Sequence, residues 1–179
     1  KEQVDHSICT APDQDACIYD EAFPGLLTRT IDGLTYLLVY TDGSAVWVGR
    51  DWIAHGGWGL YIADNHPANC FGPLIGGVVT SYRAELRALL EAVRKAVCPL
   101  CIVIDNQSVA TTAALIFAQP YQLLLKSLDL GDCEDLWECL TDLVRNSPED
   151  FFKVIWIPSH CLEKGKEEKE VVVCTRRTK

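Results

Sequence analysis

The run LTYLLVY (34–40) constrains this chain more than any other stretch. Apolar save for Thr35, it reads as a central strand covered on both faces, which calls for helices packed on a sheet. Its period of two puts Leu34, Tyr36, Leu38 and Tyr40 on one side with Asp42 after them, so the apolar face runs out on a carboxylate. Gly43 and Ser44 follow at once, and a turn is the plain reading of Asp42.

The flanking segments complete the pattern. HGGWGLYIAD (55–64) and LIGGVVT (74–80) read as two further strands joined by a Pro/Asn/Gly loop at 65–73. In SYRAELRALLEAVRKAV (81–97) the period changes: Leu86, Leu89, Leu90, Val93 and Val97 recur at helical spacing, with Arg87, Glu91, Arg94 and Lys95 on the other side. CIVID (101–105) is a strand that again stops on a carboxylate, Asp105. QSVATTAALIFA (107–118) and DCEDLWECLTDLVRN (132–146) are helical, and FFKVIWIPSH (151–160) is a last strand closed by Pro158. This order, three strands, helix, strand, two helices, strand, predicts an α/β fold: a mixed five-stranded sheet with helices packed on it, spanning 34–160. Residues 1–33 hold Pro, Asp and Gly in no period and are expected to be a linker or N-terminal extension, with 161–179 a charged tail. A chain of 179 residues, 49% hydrophobic, supports one core.

Charge narrows the function. The net charge is −9 and no block is strongly basic, so the chain lacks the usual face of a protein held mainly by nucleic-acid phosphates; a neighbouring domain could supply that affinity. Nine cysteines, with no apolar leader-like segment, fit a reduced intracellular chain in cytoplasm or nucleus. CPLC (98–101) resembles half a zinc site, but a second pair at ligand spacing is missing, and buried thiols are the simpler reading. No stretch reaches the roughly 18 apolar residues of a membrane span. The absence of Met suggests a piece of a longer polypeptide, and the isolated domain is expected to be a monomer. His55 and His66 read as surface loop residues.

Asp42 and Asp105 end their strands, and Glu85 falls in the first turn of the helix after the third strand. Each has a plain structural reading as turn, helix cap or helix-dipole partner. Three carboxylates brought to element ends of one sheet would repel one another unless a cation offsets them. All-oxygen ligation suits Mg2+ or Mn2+, and two such ions about 4 Å apart can activate a water and stabilise the leaving oxygen of a phosphodiester.

YTDGS, SYRAEL, IDNQSV and WIPSH resemble, in order and spacing, the successive motifs of the ribonuclease H family. They are most like the domains of retroelement (non-LTR retrotransposon-type) reverse transcriptases. The resemblance implies a two-metal endonuclease that cuts the RNA strand of RNA–DNA hybrids with Mg2+, or Mn2+ as substitute, and is fused to or cut from a larger polyprotein. It implies Asp42 as the metal-bridging carboxylate, Glu85 and Asp105 as its partners, and His160 as an aid to proton transfer or product release. Gly43, Ser44, Asn106 and Gln107 fall where the family touches the hybrid backbone and the RNA 2′-hydroxyls.

The chain also departs from that pattern. The family's fourth carboxylate, an Asp opening a final helix, has no counterpart after His160. Glu170 precedes β-branched VVVCT, a poor helix opener, and Glu163, Glu167, Glu168 and Glu170 read as a solvated charge run. Either the true ligand lies beyond this chain or the final helix is degraded. QPYQLLLKSLDLG (119–131) lacks a basic cluster, leaving Lys126 nearly alone. A catalytically weak or inactive module that docks within a retroelement polyprotein is therefore the alternative.

Overall fold

Six strands and three helices organise the residues described in a computed structural model of the chain, 25–47, 54–76, 78–120 and 131–158. Strands β1 (Thr28–Ile31), β2 (Leu34–Trp47), β3 (Ala54–Tyr61) and β4 (Cys70–Pro73) precede helix α1 (Ser81–Arg94). Strand β5 (Leu100–Ile104), helices α2 (Gln107–Ala118) and α3 (Glu134–Arg145), and strand β6 (Phe152–Trp156) follow. The sheet runs β4-β3-β2-β5-β6, with β1 paired to the first half of β2. The β1–β2, β2–β3 and β3–β4 pairs are antiparallel, whereas β2–β5 and β5–β6 are parallel, as a helix-bearing crossover requires.

The α/β architecture is the one the pattern predicts, with three local differences. Strand β1 adds a sixth strand inside the segment 1–33: Asp32 and Gly33, both at positive φ (51° and 84°), make the two-residue turn of a hairpin. The third strand lies at Cys70–Pro73, where it pairs with Gly57–Leu60, and not at 74–80, where Leu74 and Val79 pack on Gly56. His66 is buried at 5% exposure, with Nδ1 accepting from the Ala68 N–H, and His55 is an exposed residue of β3; neither is a surface loop residue.

Helix α1 organises the core. Thr80 caps it by accepting the Arg83 N–H, and residues 83–93 are all buried, on the apolar side against Leu37, Val39, Ile102 and Ile104. Its polar side is also covered: Glu91, 1% exposed, pairs with Arg87 at 2.7 Å and Arg94 at 2.6 Å. Arg83 spans to α3, donating to Asp135 at 2.8 Å. The other sheet face carries only a small cluster, Tyr36, Cys101 and Ile155 with Leu38, among the described residues. Cys101 is thus a core thiol. No helix among the described residues is long and apolar enough to cross a membrane.

Candidate active site

The site follows from where parallel pairing stops. β2 and β5 run in register from Leu37↔Leu100 to Tyr40↔Val103. Beyond that, β2 continues with β3 alone, and β5 ends at Ile104. Two residues past the last pair, Asp42 and Asp105 come out on the same side of the sheet. Asp42 therefore sits inside β2, opposite Gly59, and not at a strand end or in a turn, contrary to the reading from pattern. What ends at Asp42 is its cover by β5.

Glu85 comes from the helical layer, in the second turn of α1 and not the first, so helix polarity does not account for it. It reaches the pair because Gly43 has no side chain: a Cβ there would lie 2.2 Å from the Ala84 carbonyl carbon and the Glu85 nitrogen. Nor does Asp105 cap α2. Asn106 does, its Oδ1 accepting the Val109 N–H at 3.1 Å.

Oxygens of Asp42, Glu85 and Asp105 all lie within 4.8 Å of one another, the only such group among the described residues. Asp42 is exposed, Asp105 half-buried and Glu85 buried, so the cluster opens to solvent on the Asp42 side. Burial first, then the charge of Asp105, pushes the Glu85 carboxyl up to about 8; Asp42 adds to this, and the Gly43 N–H donating to Glu85 opposes it. The Glu85 Oε2 is buried without a hydrogen-bond partner. A hard divalent cation fits this donor set, since it supplies the orphaned oxygen with a partner and offsets the repulsion.

The other candidate residues take varied places. Ser44 is exposed on the same side of β2 as Asp42, two residues on. Gly43 is buried under α1, and Gln107 opens α2 exposed to solvent. His160 lies outside the described residues, as do Glu163, Glu167, Glu168, Glu170 and Lys126. One residue that pattern reading passed over is Trp156, whose indole N–H donates to the Asp105 carbonyl at 2.9 Å. It stands in the WIPSH motif, and only the fold shows what it touches.

A family model described as RNase H matches residues 35–172, which runs past His160 and takes in Glu170. No curated protein matches the chain at significance. Among solved structures, the PFV RNase H domain is 22% identical, covers 72% of this chain and 82% of its own, and superposes with a TM-score of 0.54. A foamy viral protease-reverse transcriptase in complex with dsDNA is 20% identical, with 72% and 84% covered and a TM-score of 0.50. The native Prototype Foamy Virus protease-reverse transcriptase matches at 20% identity and a TM-score of 0.50 over 72% of this chain and 18% of that one. At these identities the neighbours speak for the fold, and the family match over 35–172 speaks for descent: the chain belongs to the RNase H family.

Proposed function

We propose that the chain is a metal-dependent endonuclease hydrolysing the RNA strand of RNA–DNA hybrids. The observation that carries this reading is the buried, orphaned Glu85 Oε2 within a three-carboxylate cluster open on one side, in a chain of the RNase H family. Asp42, Glu85 and Asp105 are the residues that would hold Mg2+ or Mn2+. When bound, the metal supplies an activated water and stabilises the departing oxygen of the phosphodiester. Glu85 ionises fully on binding, and the Gly43 N–H steadies its charge. The Trp156 indole N–H fixes the backbone that carries Asp105. Ser44, beside the cluster, together with Asn106 and Gln107 at the start of α2, would face the hybrid, with Gly43 buried beneath α1, and His160 would aid proton transfer or product release.

The foamy viral protease-reverse transcriptase solved with dsDNA supports a duplex nucleic acid as partner and a place within a larger polyprotein. The test is cleavage of a fluorescent RNA–DNA hybrid in Mg2+ and in Mn2+. Wild type should cut the RNA strand and Asp42→Asn should not. A wild-type chain that binds neither ion and cuts in neither would refute the reading and leave the docking-module alternative.

A further inference from the structure

The register that exposes Asp42 also defines what lies next to it. Asp42 pairs with Gly59, and Gly59 with Phe71, so the three form one row across β2, β3 and β4 with side chains on one face. The adjacent row is Ser44, Gly57 and Pro73. This face points away from α1, whose side is filled by Trp58 lying against Gly72. Phe71 is 88% exposed, the most exposed of the large apolar side chains among the described residues. Tyr61, 46% exposed, stands diagonally from it with its ring 6.2 Å from that of Tyr40. Between Asp42 and Phe71, Gly59 carries no side chain, although a Cβ there would meet nothing nearer than Phe71 Cβ at 4.0 Å. Glycine inside a strand weakens it, and packing gives no reason for it here; a close approach by a ligand does.

A polymer cut at Asp42 must continue over the neighbouring surface, and this row is its direct extension on the open side of the cluster. We propose that Phe71, with the Tyr40–Tyr61 pair behind it, is a stacking platform for an unpaired base of the RNA strand flanking the cut, which makes the chain selective for hybrids that end in single-stranded RNA. The inference rests on the nuclease reading above. Paired bases hide their faces within the duplex, whereas an unpaired base can lie flat on an aromatic ring. Two strand spacings, about 10 Å, separate Phe71 from Asp42. That is the reach of about three nucleotides at a rise of about 3.4 Å each. The platform's row holds no basic residue, so recognition there is by ring stacking and not by phosphate contact.

The test measures affinity by fluorescence anisotropy, with Ca2+ to hold substrate uncut, for a blunt hybrid and for the same hybrid with a short RNA overhang at the 5′ or the 3′ end. Wild type should bind one overhang form about tenfold tighter than the blunt form. Phe71→Ser should erase that difference without changing the melting temperature or the salt slope, since a lost stack releases no counterion. Phe71→Tyr should keep it, and Phe71→Leu should not. Equal binding of blunt and both overhang forms by wild type, or full function in Phe71→Leu, would overturn the platform. If wild type cleaves blunt hybrid yet shows no overhang preference, only the platform fails; if it neither binds nor cleaves any hybrid, the nuclease reading fails with it.

Discussion

Replacing Glu85 with Gln should make the metal-free protein more stable. The fold buries this carboxyl at 5% exposure beside Asp105 and Asp42, which moves its pKa from an ordinary 4.5 to about 8. A carboxyl raised in the folded state holds its proton more tightly there than in the unfolded chain. Below about 4.5 both states are protonated and the group costs nothing. As pH climbs from there to about 8, the unfolded chain ionises first and stability falls, reaching its floor above 8. At about 1.4 kcal/mol per pH unit the full span is about 5 kcal/mol, and relaxation with water entry brings the expected effect to about 2–3 kcal/mol. Gln carries no such charge. Thermal melts in EDTA should show Glu85→Gln level with wild type near pH 5 and about 5–10 °C above it near pH 8.5, at about 2–4 °C per kcal/mol for a chain of this size.

Divalent ions should reverse the order. A cation that binds only the folded state adds about 2.7 kcal/mol at a hundredfold excess over its Kd, and the variant lacks the ligand that anchors it. Wild type in saturating Mn2+ should then melt above Glu85→Gln at pH 8.5. An advantage for the variant that does not grow between pH 5 and pH 8.5 in EDTA would show that Glu85 is not the strained group. A variant still ahead in Mn2+ would remove Glu85 from the metal site.

Three further outcomes follow from single contacts. Gly43→Ala drives a Cβ to 2.2 Å from backbone atoms of Ala84 and Glu85, which cannot move aside singly. It should cost at least about 3 kcal/mol in urea unfolding and abolish cleavage, while Ser44→Ala melts like wild type. Glu91→Gln removes the buried charge that Arg87 and half-buried Arg94 share and should destabilise by about 1–3 kcal/mol, read by the same titration. Trp156→Phe removes the donor to the Asp105 carbonyl; it should cost about 1 kcal/mol of stability and weaken Mn2+ binding measured by calorimetry, and an unchanged Kd would make Trp156 structural only.

How far the sequence reveals this protein depends on the range of each cause. Helix α2 runs over the predicted residues 107–118 because its period and its Asn106 cap are local. Strand β1 was equally local in its Asp32-Gly33 turn, but four residues are too short to show alternation against an irregular background. The displaced third strand was not local: LIGGVVT has strand composition, yet pairing with β3 goes no further than the Leu74 N–H donating to the Gly56 carbonyl, where Leu74 and Val79 pack on Gly56. The site divides in the same way. Motif order brings Asp42, Glu85 and Asp105 to notice, but their meeting depends on β5 ending one residue past its last pairing with β2 while β2 runs on beside β3. No single segment states that difference in length. Nor does any segment state that α1 lies close enough on Gly43 to bring Glu85 into the gap. The result is a buried carboxyl that weakens the fold at neutral pH, in a core that elsewhere pairs its charges. Packing alone would favour an apolar residue at position 85, so the retained acid is best understood through what it holds when the site is loaded.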